Sequence, residues 1–393
     1  MTNKLPLEGI RVVELTHMVM GPAAGLILAD LGAEIIKIEP VTGDATRRLK
    51  GSGAGYFPMY NRNKKSLAVD LKSPEGSKLV RQLIAHSDVL IENFRPGTAD
   101  RLGLGYEDLS RENPGLVYCS EKGFLSGPYE NRTALDEICQ MMGGLAYMTG
   151  PTGRPLRAGS SVVDVTGGMF GALGVLAALN ERHQTGRGRK VTSSLFETTV
   201  FLVGQHMAQY AVTGQAAKPM PERISAWAIY DVFDTKDDEK IFVGVVSDKQ
   251  WSIFCEKFGR ADLAADPDLQ NNEQRVDRRE SLLPEIKTMF GDYTLADLAR
   301  KLEDAGLPFA PIARPEDMFE DPHLLASGGL LETVLPEGNT TQLPALPLQI
   351  DEDRLGLRLN PPWIGEHTAA ILGEIGLSEE EISRLREEGI VTG

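Results

Sequence analysis

The chain has 393 residues, a formal net charge of −15 at pH 7 and three widely spaced cysteines. This length favours two domains over one compact core, and the acidity excludes a typical nucleic-acid-binding protein, which carries a basic face. No signal peptide and no uninterrupted apolar run of membrane-spanning length is recognised, and the cysteines suit neither a disulfide framework nor a zinc site. The composition therefore predicts a cytoplasmic enzyme that binds neither nucleic acid nor membrane.

The N-terminal third alternates between strand and helix patterns. Helices are predicted at residues 23–32, after a break at Gly21-Pro22, and at 74–86. Between and beyond them, short runs rich in β-branched residues predict strands at 10–15, 34–39, 66–71, 88–92 and 115–120. Strands that alternate with helices predict an α/β domain with a parallel sheet, whose site lies at the carboxyl ends of the strands.

The second half of the chain has a different pattern. A Gly- and Pro-rich stretch at 211–222 predicts a linker, and residues 226–234 and 240–246 predict a hairpin. Helices follow to about residue 305, and a charged helix is predicted at 378–388. This order predicts a second, smaller α+β domain.

Asp164 carries the strongest chemical signal. It follows an apolar, strand-like run and precedes Gly167 and Gly168, which open a long helix at 166–182. At such a strand-to-helix junction, backbone N–H groups stabilise negative charge, and glycines let the backbone approach a ligand. From the pattern alone, however, an acid at this place is more often a helix N-cap.

Other candidate residues have simpler alternatives. Asp136, at the start of a predicted helix, is by pattern a cap or a partner of the helix dipole. Cys139 lies in an apolar stretch, where a free cysteine is usually inert core. Lys37 and Arg47 lie near the expected mouth of the sheet and are candidates for binding phosphate or a substrate carboxylate.

Several segments, in this order and at this spacing, resemble the family III CoA-transferases, a family that also contains carnitine-CoA transferases and acyl-CoA racemases. The resemblance covers most of the chain, with the second domain least distinctive. Besides the Asp164 segment, it rests on PLEGIRVVELTHMVMGPAAGLILADLGAEIIKIEPVTGD (6–44), NKKSLAVDLKSPEG (63–76), DVLIENFRPGTADRLGLGYEDL (88–109), NPGLVYCS (113–120), GPYENRTALDEICQMMGGLAYMTG (127–150) and PPWIGEHTAAILGEIGL (361–377).

The resemblance implies a role for individual residues. Asp164 matches the nucleophilic aspartate of the family, and Asp136 matches a glutamate close to that nucleophile, with Glu137 a weaker candidate. The residues that match CoA contacts are His17, Val19, Lys72, Asn93, Phe94 and Arg101.

The resemblance also implies the fold and the reaction. We expect a large α/β domain (1–215), a small α+β domain (216–330) and a C-terminal segment (331–393) that returns to the large domain. Two copies are expected to interlock as a homodimer. The expected activity is transfer of CoA from an acyl-CoA, such as succinyl-CoA, to a carboxylic acid, such as a short dicarboxylate. The CoA thioester is a substrate, and neither a permanently bound cofactor nor a metal is expected.

Two alternatives are an acyl-CoA racemase and a non-catalytic CoA-binding subunit of a heteromeric transferase. The racemases have a histidine where this chain has Leu135, and a binding subunit would not need Asp164. Formyl and oxalyl substrates are disfavoured, because that branch has a glutamine at the place of Val19 and a glycine run that the segment SAWAIYDVF lacks.

Overall fold

The structure, a computed structural model, describes residues 4–223 and 225–393. Its contacts divide the chain into two units. The first holds residues 4–221 together with 322–393, and the second holds the described residues of 222–321. The predicted small domain, 216–330, is therefore longer at both ends than the second unit.

The strands are numbered in chain order. They are β1 Arg11–Leu15, β2 Glu34–Glu39, β3 Lys64–Val69, β4 Val89–Glu92, β5 Val117–Lys122, β6 Lys190–Ser194, β7 Ile229–Asp234, β8 Lys240–Val245, β9 Phe309–Pro311, β10 Leu330–Val334, β11 Thr340–Pro344, β12 Gln349–Ile350, β13 Asp353–Arg354 and β14 Val391–Thr392.

The α-helices are numbered in the same way. They are α1 Met20–Asp30, α2 Tyr56–Tyr60, α3 Pro74–Ala85, α4 Thr98–Arg101, α5 Tyr106–Glu112, α6 Asp136–Met142, α7 Leu145–Thr149, α8 Val162–Thr185, α9 Leu195–Leu202, α10 Gly204–Thr213, α11 Asp248–Lys257, α12 Ala261–Ala265, α13 Asn272–Asp277, α14 Arg279–Phe290, α15 Leu295–Asp304, α16 Pro322–Ala326, α17 Thr368–Glu374 and α18 Glu379–Glu387.

A seven-stranded sheet organises the first unit. Its strand order is β14-β3-β2-β1-β4-β5-β6, and β14 alone of these strands runs antiparallel to its neighbour. The predicted α/β class with a large parallel sheet is confirmed. Strand β6 is not predicted from the sequence, because its KVTSS segment has no buried apolar side chain.

Most residues of strands β1 to β5 are buried, because helices cover both faces of the sheet. On one face Val13 and Leu90 pack with residues of α3, α5, α17 and α18. On the other face Val12 and Val89 pack with residues of α1 and α8. Alternate residues of one strand thus supply two different cores.

Helix α1 begins at Met20, before the Gly21-Pro22 pair that the sequence analysis took as a break. Pro22 is the third residue of the helix. A proline is tolerated in the first turn because the N–H groups there have no partner within the helix.

Helix α8 begins at Val162, so the apolar run before Asp164 is helical and not a strand. A Cβ on Gly168 would lie 2.4 Å from the Met20 carbonyl oxygen, and one on Gly167 would lie 2.8 Å from the Met20 Cε. These glycines therefore allow α8 to pack closely on α1, and they do not provide the ligand approach that the sequence analysis expected.

By length and composition alone, α8 could cross a membrane, although the sequence analysis recognised no run of that kind. In this fold it is a core helix, because Ala172, Val175, Ala178 and Leu179 are buried in the same cluster as strand residues Val12 and Val117. Its apolar composition is explained by that burial.

The second unit has its own core. Strands β7, β8 and β9 form an antiparallel sheet, and residues of α11, α12, α14 and α15 pack in one cluster with residues of that sheet. In the first unit, the C-terminal segment adds α17, α18 and β14, and β14 pairs with β3 of the large sheet.

Candidate active site

The large sheet changes direction between two neighbouring strands. Successive connections place β2 and β3 on one side of β1, whereas β4, β5 and β6 lie on the other side. At such a switch point, the loops after the two strands separate and leave a crevice at their carboxyl ends. The residues that follow these two strands are therefore the first candidates for a site.

His17 follows β1 and Asn93 follows β4, and the two are joined by hydrogen bonds. The Asn93 side-chain amide donates to the His17 carbonyl oxygen (2.9 Å), and its oxygen accepts from the His17 N–H (3.2 Å). Burial lowers the pKa of His17, which favours the neutral imidazole. Asn93 thus fixes the backbone of the β1 loop at the crevice.

Of the cavities at this edge of the sheet, His17 lines two. The larger, of about 540 Å³, lies at the ends of β1 to β4, and Lys72 and Phe94 are among its lining residues. The smaller, of about 270 Å³, is lined by Asn93, Asp136, Glu137 and Asp164 among others. The structure thus brings most of the predicted site residues to two adjoining cavities.

Asp164 lies in the first turn of α8, which has Ser161 as its N-cap residue. Among the described residues, no donor forms a hydrogen bond or ion pair with its carboxylate. Burial and the negative charge of Asp136 raise the pKa of Asp164 to about 7, although Arg157 opposes this rise. A half-buried, unpaired carboxylate of this kind is available to attack an electrophile.

Asp136 caps the N-terminus of α8, although it belongs to a different helix, α6. Its Oδ2 accepts hydrogen bonds from the backbone N–H groups of Val163 (2.9 Å) and Asp164 (3.1 Å), and its Oδ1 accepts one from Gln140 Nε2 (2.6 Å). The N-terminus of α8 is therefore satisfied from outside its own sequence. Asp164 is not an N-cap, contrary to the alternative that its sequence pattern favoured.

Lys37 and Arg47, two predicted ligand contacts, line neither cavity. Lys37 is fully buried, donates to the Thr16 carbonyl oxygen (2.8 Å) and pairs with Asp44 at 3.0 Å. Arg47 donates to both carboxylate oxygens of Glu39 and to the Pro362 carbonyl oxygen. Both side chains are engaged in contacts that support loops near the crevice.

Two other predicted contacts lie outside both cavities, and so does Cys139, which the sequence pattern predicts to be inert core. Val19 is buried at the start of α1 and lines neither cavity. Arg101 is exposed on α4 and donates to Thr98 Oγ1 (2.8 Å), outside the lining of both cavities. Cys139 is buried, and burial together with the charge of Asp136 raises its pKa to about 12, so its thiol stays protonated at neutral pH.

The smaller cavity also contains charged residues that the sequence analysis missed, among them Glu121, Lys122 and Arg157. Glu121 is 2% exposed, and neither of its carboxylate oxygens has a hydrogen-bond partner among the described residues. Burial and the charge of Glu14 raise its pKa well above the ordinary range, which keeps the acid neutral. The sequence could have indicated Glu121 and Lys122 by their position, because they directly follow the predicted end of β5, at the edge of the sheet where the site is expected.

Among residues 4–223 and 225–393, no group of three or more His, Cys, Asp or Glu side chains is arranged to hold a metal ion. Of the acidic residues that line the smaller cavity, Asp164 and Glu121 have no hydrogen-bond partner for their carboxyl groups among the described residues. The chemistry that these residues themselves offer is nucleophilic attack by a carboxylate.

Comparison with known proteins agrees with this geometry. The sequence pattern of CoA-transferase family III matches residues 7–368. The succinyl-CoA:glutarate CoA-transferase of Mus musculus is 33% identical, over 98% of this chain and 90% of its own. The succinyl-CoA–D-citramalate CoA-transferase of Chloroflexus aurantiacus is 31% identical, over 98% of both chains.

A solved structure is similar over nearly the whole length. The CaiB/BaiF family protein from Brucella suis is 32% identical and superposes with a TM-score of 0.84, over 95% of this chain and all of its own. The chain therefore belongs to CoA-transferase family III, and it is an enzyme that moves coenzyme A from an acyl-CoA to a carboxylic acid.

Proposed function

We propose that the enzyme transfers CoA from succinyl-CoA to a short dicarboxylic acid, with Asp164 as the covalent nucleophile. The observation that carries the proposal is the Asp164 carboxylate, which is half-buried and unpaired and which lines a cavity next to the larger one. The choice of substrates is supported by relatives of this chain that are named for succinyl-CoA and for glutarate or citramalate.

Each half of the proposed reaction starts and ends with a CoA thioester. The Asp164 carboxylate attacks the thioester carbonyl of the donor and expels the CoA thiolate, which leaves a mixed anhydride. The thiolate then attacks the aspartyl carbonyl, releases the donor acid and leaves an aspartyl-CoA thioester. The acceptor carboxylate repeats these steps in reverse order and departs as the new acyl-CoA. No external acid, base or reductant is consumed.

Asp136 is proposed as a positioning residue. Its carboxylate holds the backbone N–H groups of Val163 and Asp164 and thereby fixes the first turn of α8. Its negative charge also disfavours ionisation of Asp164. An aspartate held in this way is a stronger base and nucleophile than an exposed one, at the cost of being partly protonated near pH 7.

We propose that CoA occupies the larger cavity and reaches Asp164 past His17. Lys72 lines that cavity and is suited to a phosphate, and the Phe94 ring lines it and is suited to the adenine. Arg101 remains a proposed contact for the part of CoA that would lie outside this cavity. His17, which lines both cavities, would contact the pantetheine arm.

We further propose that the enzyme is a cytoplasmic homodimer in which two copies interlock. The support is an apolar surface on α8, α9 and α10. Phe201 is 71% exposed and Leu173 60%, and α10 has no buried residue. A surface of this kind requires cover by another chain. Sedimentation of the purified chain tests this, and a monomer at micromolar concentration would contradict it.

The racemase alternative lacks support at the cavity. Racemisation needs a base on each face of the α-carbon. Among the residues that line the smaller cavity, Leu135 occupies the place of the racemase histidine, and the backbone of the histidine present, His17, is held at the crevice by Asn93. A non-catalytic CoA-binding subunit would not need the unpaired Asp164 carboxylate.

The pH dependence tests the nucleophile. Only ionised Asp164 can attack, and its pKa is raised to about 7. We therefore expect kcat/KM for succinyl-CoA to rise about tenfold per pH unit below pH 7 and to level off above it. Asp136→Asn should shift this rise to lower pH, because it removes a negative charge that raises the pKa of Asp164. A flat profile from pH 5 to 8 would contradict the assignment.

Trapping tests the covalent intermediate. The enzyme is incubated with succinyl-CoA alone, reduced with borohydride or treated with hydroxylamine, digested and analysed by mass spectrometry. The expected mass change lies on the peptide that contains Asp164. In parallel, several acyl-CoA donors are tested against carboxylic acid acceptors, with succinyl-CoA and glutarate expected among the best pairs. Modification of a different carboxylate would reject Asp164 as the nucleophile.

A further inference from the structure

The smaller cavity is lined by one lysine and one arginine, Lys122 and Arg157. Lys122 is fully engaged. Its ammonium donates to both carboxylate oxygens of Glu92 (2.8 Å each) and to the Phe94 carbonyl oxygen (2.7 Å). A lysine ammonium has three N–H donors, so Lys122 has none left for a ligand.

Arg157 is different, because the two terminal nitrogens of its guanidinium form no hydrogen bond among the described residues. Only its Nε donates, to the Ala158 carbonyl oxygen (3.2 Å). Nη2 is 3.5 Å from Asp136 Oδ1 and Nη1 is 3.7 Å from Glu137 Oε2. These distances are too long for charge-assisted hydrogen bonds, which are typically about 2.7–2.9 Å.

Nor does Asp136 depend on Arg157. Its oxygens already accept hydrogen bonds from Gln140 and from the N–H groups of Val163 and Asp164. The Arg157 side chain is 34% exposed and lines the same cavity as Asp164. It is also close enough to lower the pKa of Asp164 against the effect of burial. The free edge of its guanidinium thus borders the space in which an acyl group must lie to react.

We propose that Arg157 determines specificity for dicarboxylates by binding the second carboxylate of the substrate while the first reacts at Asp164. The planar, forked donors of arginine match the two oxygens of a carboxylate. A monocarboxylic acid would leave the terminal nitrogens of Arg157 without a hydrogen-bond partner. The inference rests on the proposed function and adds to it a residue that selects the substrate class.

The test compares glutarate with pentanoate, which has the same five-carbon chain but ends in a methyl group. Initial rates are measured at saturating succinyl-CoA, where kcat/KM for the acceptor reports the second half of the reaction. Arg157→Gln should lower kcat/KM for glutarate by about 10- to 100-fold, mainly through KM, and should change the value for pentanoate much less. Arg157→Lys, which keeps the charge but loses the fork, should give an intermediate loss.

Arg154→Gln is the matched control. Arg154 belongs to the same loop, but it is exposed and does not line the cavity, so the preference for glutarate should stay as in the wild type. The proposal is overturned if Arg157→Gln lowers kcat equally for both acids, as a purely structural role would, or if wild-type enzyme uses both acids equally well. Failure of the wild-type enzyme to transfer CoA to any acid would instead contradict the proposed function.

Discussion

Asp164→Asn is expected to lower the rate of CoA transfer by about 10³-fold or more, while CoA binding changes little. A neutral amide cannot attack the thioester, so neither the anhydride nor the aspartyl-CoA thioester forms. The larger cavity, which is the proposed CoA site, does not include Asp164 in its lining. The measurements are kcat with succinyl-CoA and glutarate, and the dissociation constant of CoA by calorimetry.

Glu181→Gln is the control for this variant, because it removes a carboxylate from the same helix at its opposite end, where Glu181 pairs with Arg189 on the surface. Its transfer rate should equal that of the wild type. Turnover by Asp164→Asn within about tenfold of the wild type would require another nucleophile.

The same variant is also expected to change stability in a pH-dependent way. The pKa of Asp164 is raised to about 7 in the folded chain, so the folded state loses stability as pH rises from the unfolded pKa, near 4, to about 7. Asparagine does not titrate. Asp164→Asn should therefore melt at a higher temperature than the wild type at pH 8 and show no such gain at pH 4. A catalytic group that reduces stability in this way is typical of active sites.

The sequence predicts strands β1 to β5 well because each contains apolar residues that the two faces of the sheet bury. The edge strand β6 has no such signal, since its identity depends on pairing with β5. The start of α8 is also not predicted correctly from the sequence, because it likewise depends on a contact with a distant part of the chain. Val162 and Val163 favour a strand by local propensity, and the helix begins there because Asp136, in another helix, accepts the N–H groups of its first turn.

Within the site, the residues at the ends of β1 and β4 could be predicted, because loops at a switch point meet at one edge of the sheet. The partners of each side chain could not. Lysine is a residue type that binds phosphate, yet Lys37 is buried in ion pairs with Glu14 of β1 and with Asp44 in the segment after β2. No sequence pattern singles out Arg157. Its proposed role is inferred from the structure, in which its terminal nitrogens form no hydrogen bond and it lines the same cavity as Asp164.

Lys64→Met is expected to destabilise the enzyme by about 3–5 kcal/mol, the usual cost of leaving one buried charge without its partner. Lys64 Nζ is 2.7 Å from Glu14 Oε2, and both side chains are fully buried. It also donates to the Pro22 carbonyl oxygen (2.9 Å), which ties β3 to the first turn of α1. Burial lowers the pKa of Lys64 to about 8, so the cation is present at pH 7.

The neighbouring residue of the same strand provides a matched comparison. Lys65 pairs with Glu34 at 2.5 Å, but both side chains are 29% exposed, so Lys65→Met should cost only about 0–1 kcal/mol. The free energy of unfolding, measured by urea denaturation at pH 7, distinguishes the two lysines. Adding Glu14→Gln to Lys64→Met should recover part of the loss, because the remaining buried group is then neutral. Equal losses for the two single variants would mean that Glu14 does not rely on Lys64 and that Lys37, 3.5 Å away, is enough to stabilise it.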